Sequence, residues 1–392
     1  MTFDTITADR IPVTTAFDGN PAFYLARLVV KAPYLLGDRN IPSGYAAGSG
    51  FSFDSAQARL KALGECVERF CAETAVRHLP LVTASIQELT RKQTSYLDPD
   101  ELRPYHDCAS IHERYPRLQS QQSISWVEGW LEQTGERVLV PASACFLPWN
   151  PQVREPVVAM GTATGLAAHT SLEQAKQAAY REVIERAALI QSWRLAESRV
   201  HRVADVKLPV GIQQFLERHG LHMRSFCLDP FALPTFMVIL SRCDGQGLTI
   251  GSKSGPLHQR TLEAALDEAI MLQATVRRKS LFTKSEALTS MEHVQRAWTQ
   301  GPSIIHWYEA KVSSDLRLPE YAPPSADALD HPEPVYFVEL TTPAARKAGW
   351  RVVRCLVPGA CSKESNSRLP QLKNLLRMAP LETMQLTPHP FG

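Results

Sequence analysis

Apolar residues spaced three and four apart mark the long helices of this chain, and short β-rich runs mark its strands. Helices are predicted over 55–76, over 171–195, where the pattern is strongest, and over 258–279. In the first, Leu60, Leu63, Val67 and Phe70 line one side and pack it into a core. Strands are predicted over 24–30, 124–130, 137–140, 235–241, 248–251, 335–340 and 351–357. The turns Gln133-Thr134-Gly135 and Cys243-Asp244-Gly245 join two pairs of them, and 144–147 reads as an apolar extension of the first hairpin. Residues 1–22 read as an irregular or strand-poor arm, 314–334 as a proline-bearing loop and 371–378 as a short helix. Helices and strands alternate with no clean linker. The expectation is one large α/β domain over 1–392: an N-terminal arm and first strand over 1–45, a core over 46–379 and a Pro-rich tail over 380–392.

Charge removes several function classes. Lys plus Arg is 42 and Asp plus Glu is 40, so a bulk electrostatic hold on nucleic acid is not expected. The basic run Arg277-Arg278-Lys279 ends a predicted helix, where compensation of the macrodipole explains it. The N-terminus MTFDTITADR lacks the basic flank and apolar run of a signal peptide. No stretch approaches the roughly 18 apolar residues of a membrane span. The eight cysteines contain no Cys-x-x-Cys pair, so buried free thiols in a reducing compartment are expected rather than a zinc cluster. A cytoplasmic protein with no membrane and no nucleic-acid partner is the resulting expectation.

One internal similarity carries chemistry. Residues 56–72 and 173–189 align without a gap, and both read Ala-(x6)-Glu-x-x-Glu-Arg. The first helix supplies Ala58, Glu65, Glu68 and Arg69; the second supplies Ala175, Glu182, Glu185 and Arg186. Spacings of three and four set the polar groups of each set on one helical face. A solvated face with an i,i+4 ion pair would account for either set alone. Two features argue for more. The face of the second set also carries Ala175, Ala178 and Ala179, then Leu189 and Trp193, which leaves room over the carboxylates. Like charges at i,i+3 repel, and accepting that twice on matched helices points to a shared cation. Four carboxylates without a Cys or His cluster suit a hard ion such as Mg²⁺ held with phosphate oxygens, with each Arg answering phosphate charge. Nucleotide binding is thus indicated, without a P-loop. Gly48-Ser49-Gly50 before the first helix reads as a turn or as an anion-facing fragment.

The segments GSGFSFDSAQARLKALGECVERF (48–70), GTATGLAAHTSLEQAKQAAYREVIER (161–186) and VVRCLVPGA (352–360), with the terminal TPHPFG, resemble the YcaO family. The resemblance is to the stand-alone cyclodehydratases of azol(in)e-containing peptide biosynthesis. It implies an α/β ATP-binding fold with paired Glu-x-x-Glu-Arg helices against mixed sheets. The implied activity uses ATP and Mg²⁺ to phosphorylate a peptide amide oxygen after a Cys, Ser or Thr side chain has attacked the carbonyl, leaving thiazoline or oxazoline. Carried over, Glu65, Glu68, Glu182 and Glu185 are Mg²⁺ and phosphate-site carboxylates. Arg69 and Arg186 are nucleotide-site or helix-bracing cations. The tail residues Pro388, His389 and Pro390, with Phe391, reach toward the active site, and His389 or the terminal carboxylate is the only suggested base. The implied partners are a precursor peptide, an E1-like leader-recognition protein, an FMN-dependent dehydrogenase and a second copy of the chain.

Departures from the family pattern bear on the site. Lys61 stands where many members have Ser, and it either contacts phosphate or pairs with Glu65. Ala167, Thr170 and Gln174 stand where Ser, Asn and Glu are frequent; Thr170 and Gln174 keep binding oxygens and Ala167 does not. Ala187 replaces a frequent Asp. In the third long helix a Glu-x-x-Gln pair appears as Glu268 with Met271, with Gln273 two places on. Gly392 follows Phe391 where a final Pro is common. A thioamide- or amidine-forming YcaO enzyme and a non-catalytic docking scaffold are the competing readings.

Overall fold

The computed structural model describes residues 7–31, 45–103, 117–149, 155–159, 161–228, 233–278, 290–319, 333–361 and 374–391. Strands β1 (Val13–Phe17), β2 (Phe23–Lys31) and β3 (Tyr45–Ser52) form an antiparallel sheet. Helix α1 (Ser55–Thr74) lies on it; Asp54 caps its start by accepting from the Ala56 N–H at 2.8 Å. Next come β4 (Leu81–Ser85), α2 (Ile86–Arg91), β5 (Ser123–Leu131), β6 (Glu136–Pro141), α3 (Ala142–Cys145), β7 (Leu166–His169) and α4 (Leu172–Arg194). Strand β8 (Val200–Ala204), α5 (Val210–Arg218), β9 (His222–Leu228), β10 (Thr235–Ser241), β11 (Thr249–Ser254) and α6 (Gln259–Arg278) follow. The chain continues through α7 (Ser290–Glu309), β12 (Val312–Arg317), β13 (Tyr336–Glu339), α8 (Pro343–Lys347) and β14 (Arg351–Leu356).

Two larger sheets complete the framework. One has the order β11-β10-β9-β8-β12, with β8 and β12 parallel and the other pairs antiparallel. The other has the order β4-β5-β13-β14-β7, with β6 on β5. Helix α1 packs on β3 through Ala58, Ala62, Cys66 and Val67, all inaccessible to solvent. Helix α6 packs on β10 and β11 through Leu262, Ala265, Leu266 and Ala269. Helix α4 crosses between, touching β7 and β14 of one sheet and β11 of the other. The carboxylate-bearing helices therefore lie where the sheets meet.

Several expectations need correcting. Residues 8–17 hold a 3-10 turn and β1, so the arm is ordered there. Residues 142–145 turn as α3 instead of extending the hairpin. Val312–Arg317 is strand, cutting into the expected loop over 314–334; 320–332 lie outside the described residues. Leu60 is 46% exposed, so only Leu63, Val67 and Phe70 of the expected stripe face the core. Of the expected short helix, the described part is the 3-10 turn Leu375–Arg377. Helix α7 was not expected at all, because Gly301 and Pro302 interrupt its pattern. Cys66, Cys71, Cys145, Cys227, Cys355 and Cys361 are buried free thiols and Cys243 is exposed; Cys108 lies outside the described residues. Among the described residues no helix is long and apolar enough to cross a membrane.

Candidate active site

Helices α1, α4 and α6 each present a glutamate whose carboxylate accepts a main-chain N–H from the segment just before the helix. Ser49 N donates to Glu65 at 2.7 Å, Gly165 N to Glu182 at 3.1 Å and Ser252 N to Glu268 at 2.9 Å. The first and third arrangements repeat one another. In each the donor lies sixteen residues before the acceptor. Gly48 and Gly251 sit at the same place on their strands, because a Cβ on either would lie 2.1 Å from a helix carbonyl, that of Ala62 or of Ala265. Only glycine allows helix and strand backbones to approach so closely. The Gly48-Ser49-Gly50 fragment is thus strand, not turn. The anion its N–H faces is the protein's own Glu65. The matching pattern, Gly-Ser followed by Ala-x-x-Glu, is present at 251–268 and was the signal available for the third unit.

Glu185 is held differently. It is 2% exposed and receives the Ser252 hydroxyl at 2.8 Å and the Ser254 N–H at 3.3 Å, with Lys253 Nζ 3.7 Å away. Three consecutive residues of β11 therefore grip one carboxylate of α4. Arg186 stands 3.8 Å from Glu182, and Arg69 stands 3.8 Å from both Glu65 and Glu68.

The groups feel one another across helices. Burial pushes the Glu68 carboxyl well above the usual range, Arg69 pulls against it, and Glu182 and Glu65 push further. Burial raises Glu182 too, with Arg186 opposing and Glu185 reinforcing. Glu268 is raised by burial and by Glu185. Burial works against the Arg186 guanidinium, but Glu185, Glu268 and Glu182 hold it above its ordinary value. Lys253 is raised chiefly by Glu185, then by Glu268 and Glu182 against burial. Five carboxylates thus face Arg69, Arg186, Lys253 and Arg354, and three carboxyls are pushed toward protonation, chiefly by burial and further by neighbouring carboxylates.

Arg354 lies within the VVRCLVPGA segment, but the sequence alone assigns it no role. It is 1% exposed and, among the described residues, bonds carbonyls: Cys145 from Nε and Nη2 at 3.3 and 3.2 Å, Thr162 and Thr164 from Nη1 at 2.6 and 2.7 Å. It thereby fixes the loop that ends in Gly165, the donor to Glu182. Burial lowers its pKa to about 10, which still leaves it charged at neutral pH beside Glu68 and Glu182.

Other expected residues stand apart from this cluster. Lys61 donates to Asp267 at 3.1 Å and to the Phe51 carbonyl at 2.9 Å, and no Glu65 pairing forms. Thr170 and Gln174 are exposed at the start of α4; Ala167 and Ala187 are buried. Of the three alanines expected to leave space, Ala175 and Ala179 are filled core positions and only Ala178 is open. Gln273 is buried and donates to the Gly247 carbonyl at 2.6 Å, outside the carboxylate cluster. In the tail, His389 is fully buried, stacked on His293 at 4.0 Å, and its Nδ1 accepts from the Phe391 N–H at 3.3 Å. Pro390 is buried and Pro388 half-buried; Gly392 lies outside the described residues.

Among the described residues no three acidic, His or Cys side chains converge as a ready-made metal cage. The donor set nonetheless fits Mg²⁺, which takes one or two carboxylates and completes its shell with water and phosphate oxygens.

The sequence profile described as YcaO cyclodehydratase, ATP- and Mg²⁺-binding, matches residues 49–361. The chain belongs to the YcaO family, an ATP- and Mg²⁺-binding family of cyclodehydratases. Solved structures share the fold. A heterocyclase in complex with substrate and cofactor is 19% identical, with TM-score 0.73 over 97% of this chain and 54% of its own, so the chain spans about half that protein. YcaO from Methanopyrus kandleri bound with AMPPCP and Mg²⁺ is 18% identical, with TM-score 0.57 over 89% of this chain and 86% of its own. The E. coli microcin synthetase McbBCD complex contains a chain 13% identical, with TM-score 0.61 over 89% of this chain and 88% of its own. No curated protein sequence matches the chain.

Proposed function

We propose that the chain is an ATP-dependent cyclodehydratase that converts Cys, Ser or Thr of a ribosomal precursor peptide into thiazoline or oxazoline. The observation that supports this reading most is the charged cluster on α1, α4 and α6, where main-chain N–H groups of Ser49, Gly165 and Ser252 hold Glu65, Glu182 and Glu268 and the Glu182 charge bears on Glu68 across helices. ATP supplies the phosphoryl group that turns the amide oxygen, a poor leaving group, into phosphate. The reaction balances as attack of the side-chain thiol or hydroxyl on the preceding carbonyl, transfer of the terminal phosphoryl group to that oxygen, and departure of phosphate as the C=N bond forms. Each ring loses one water and converts one ATP to ADP and phosphate.

The protein's share of such chemistry is positioning and charge neutralisation. Glu65, Glu68, Glu182 and Glu185, joined by Glu268, are the carboxylates that would hold Mg²⁺. Arg69 and Arg186 are the cations that would answer phosphate oxygens, and Lys61, Thr170 and Gln174, although they stand apart from the cluster, are proposed as further nucleotide contacts. The N–H groups of Ser49, Gly165 and Ser252 keep three carboxylates from swinging away. Within one YcaO unit over 1–392, the tail from 380 onward is tied to the C-terminal end of α4, and Pro388, His389 and Pro390 act there by shaping rather than by proton transfer. A leader-recognition partner, an FMN-dependent dehydrogenase and a second copy of this chain are the expected company in a cytoplasmic complex.

The test is the mass of a precursor peptide incubated with this chain, its partner protein and ATP. Loss of one water per modified residue is expected. Replacement of oxygen by sulfur would assign a thioamide-forming enzyme instead, and modification without ATP turnover by this chain would leave it a scaffold.

A further inference from the structure

The repeated strand-helix units do not match throughout: Glu68 and Arg69 on the first helix are answered by Met271 and Leu272 on the third, and the strands differ as well. Gly48 and Ser49 match Gly251 and Ser252, and Glu65 matches Glu268, but Gly50 is answered by Lys253. At Gly50 no side chain fits, since a Cβ would lie 1.9 Å from the Ala58 carbonyl. At Lys253 a half-exposed side chain reaches Glu185, the most buried carboxylate of the cluster, with Nζ to Oε2 at 3.7 Å. The neighbouring Ser252 hydroxyl and Ser254 N–H occupy Glu185 Oε1 and Oε2. The two serine contacts come from uncharged donors at 2.8 and 3.3 Å, while the ammonium contact is longer and open to solvent at one end. A buried carboxylate is costly even when hydrogen-bonded, so Glu185 needs cations whether or not a metal is bound, and Lys253 shares that task with Arg186. Two cations near one carboxylate repel, so a dication arriving there competes with Lys253.

We propose that Lys253 is a place-holder for the divalent cation: it neutralises Glu185 while the site is empty and yields that carboxylate when metal-nucleotide binds. This rests on the reading of the cluster as a metal-nucleotide site. The flexible four-carbon stem and half-exposed position let the ammonium swing outward without disturbing the serine contacts. Lys253 is in this sense a positioning residue that sets the metal dependence of the site and keeps the empty carboxylate cluster from repelling itself apart.

The experiment measures Mn²⁺ binding to the full chain by loss of the free-ion EPR signal, and AMPPCP binding by calorimetry with and without metal. Lys253→Met and Lys253→Arg are compared with wild type, and thermal melting in the absence of metal verifies folding. Removing the competing charge is expected to tighten Mn²⁺ binding about fivefold to tenfold in Lys253→Met, while Lys253→Arg stays within about twofold of wild type. Folded Lys253→Met with unchanged or weaker Mn²⁺ binding overturns the proposal. So does a loss of AMPPCP affinity with unchanged Mn²⁺ binding, which would make the lysine a phosphate contact. If wild type binds neither Mn²⁺ nor AMPPCP, the metal-nucleotide reading itself fails, and that result is distinct from either of the others.

Discussion

The indole Nε1 of Trp193 donates to the carbonyl oxygen of Thr387 at 3.0 Å, tying the helix of Glu182 and Glu185 to the C-terminal tail. Arg194 reinforces the tie, its Nη1 donating to the Gln385 and Thr387 carbonyls at 2.8 and 2.9 Å and its carbonyl accepting the Gln385 N–H at 2.8 Å. Helix α4 thus has the carboxylate cluster at its middle and the tail at its end. Trp193→Phe keeps an aromatic ring and removes the N–H. A loss of about 1 kcal/mol in stability is expected. Amide exchange at Gln385 should accelerate while nucleotide affinity stays close to wild type, and exchange mass spectrometry checks it.

Backbone contact between β3 and α1 makes Gly50 intolerant of any side chain, whereas a Cβ at Gly64 on α1 would meet only the Trp350 ring, 3.9 Å away. Gly50→Ala is expected to cost about 3 kcal/mol or more by overpacking. Gly64→Ala should gain about 0.5–1 kcal/mol through helix propensity. Urea melts of both variants test the pair of opposite signs.

Arg354 spends its planar fork on three carbonyls that an ammonium cannot reach together. Arg354→Lys should lose about 2–4 kcal/mol, because buried acceptors are left unsatisfied. The loop through Gly165 should loosen, weakening metal-nucleotide binding as well. Calorimetric titration of AMPPCP with Mg²⁺ on the folded fraction measures that second effect.

Raised carboxyl values give the metal-free chain a pH signature. The ordinary glutamate value is 4.5, and Glu68, Glu182 and Glu268 all lie above it when folded. Between those values the native state keeps protons that the unfolded chain has lost, so stability falls as pH rises. The contribution is full below about 4.5 and disappears as pH passes the raised folded values. The share of the metal-free chain's melting temperature that these carboxyls supply should therefore decline as pH rises from about 4.5 through their raised folded values. Glu68→Gln should reduce that slope, and Mg²⁺ with AMPPCP should flatten it, because carboxylates that ligate the metal no longer keep their protons in the native state.

The carboxylate helices were legible because helical periodicity and an ungapped internal repeat are local properties of sequence. Glu65, Glu68, Glu182 and Glu185 could be picked out before any contact was known, as could the β5–β6 hairpin with its Gly135 turn. Contacts between distant strands and helices were not legible. The grip of Ser252, Lys253 and Ser254 on Glu185 joins segments about sixty-seven residues apart through sheet packing, which leaves no mark on local pattern. Gly48 and Gly50 looked like turn residues because close backbone approach and turn formation call for the same amino acid. Helix α7 was hidden by Pro302, which the chain accommodates at a kink centred on Gln300. Of the two roles open to Lys61, the pairing with Glu65 does not form, since Asp267 arrives from α6 and takes its ammonium at 3.1 Å.

Helices α1 and α4 together are proposed to form one site for ATP-driven loss of water from a peptide. The most direct test follows phosphate release and peptide mass for wild type, Glu68→Gln and Glu185→Gln, each with partner protein and precursor peptide. The predicted result is peptide-stimulated phosphate release matched by loss of one water per ring, abolished by either substitution although both variants fold. Full turnover in either folded variant, or peptide modification with no ATP consumed, would contradict it.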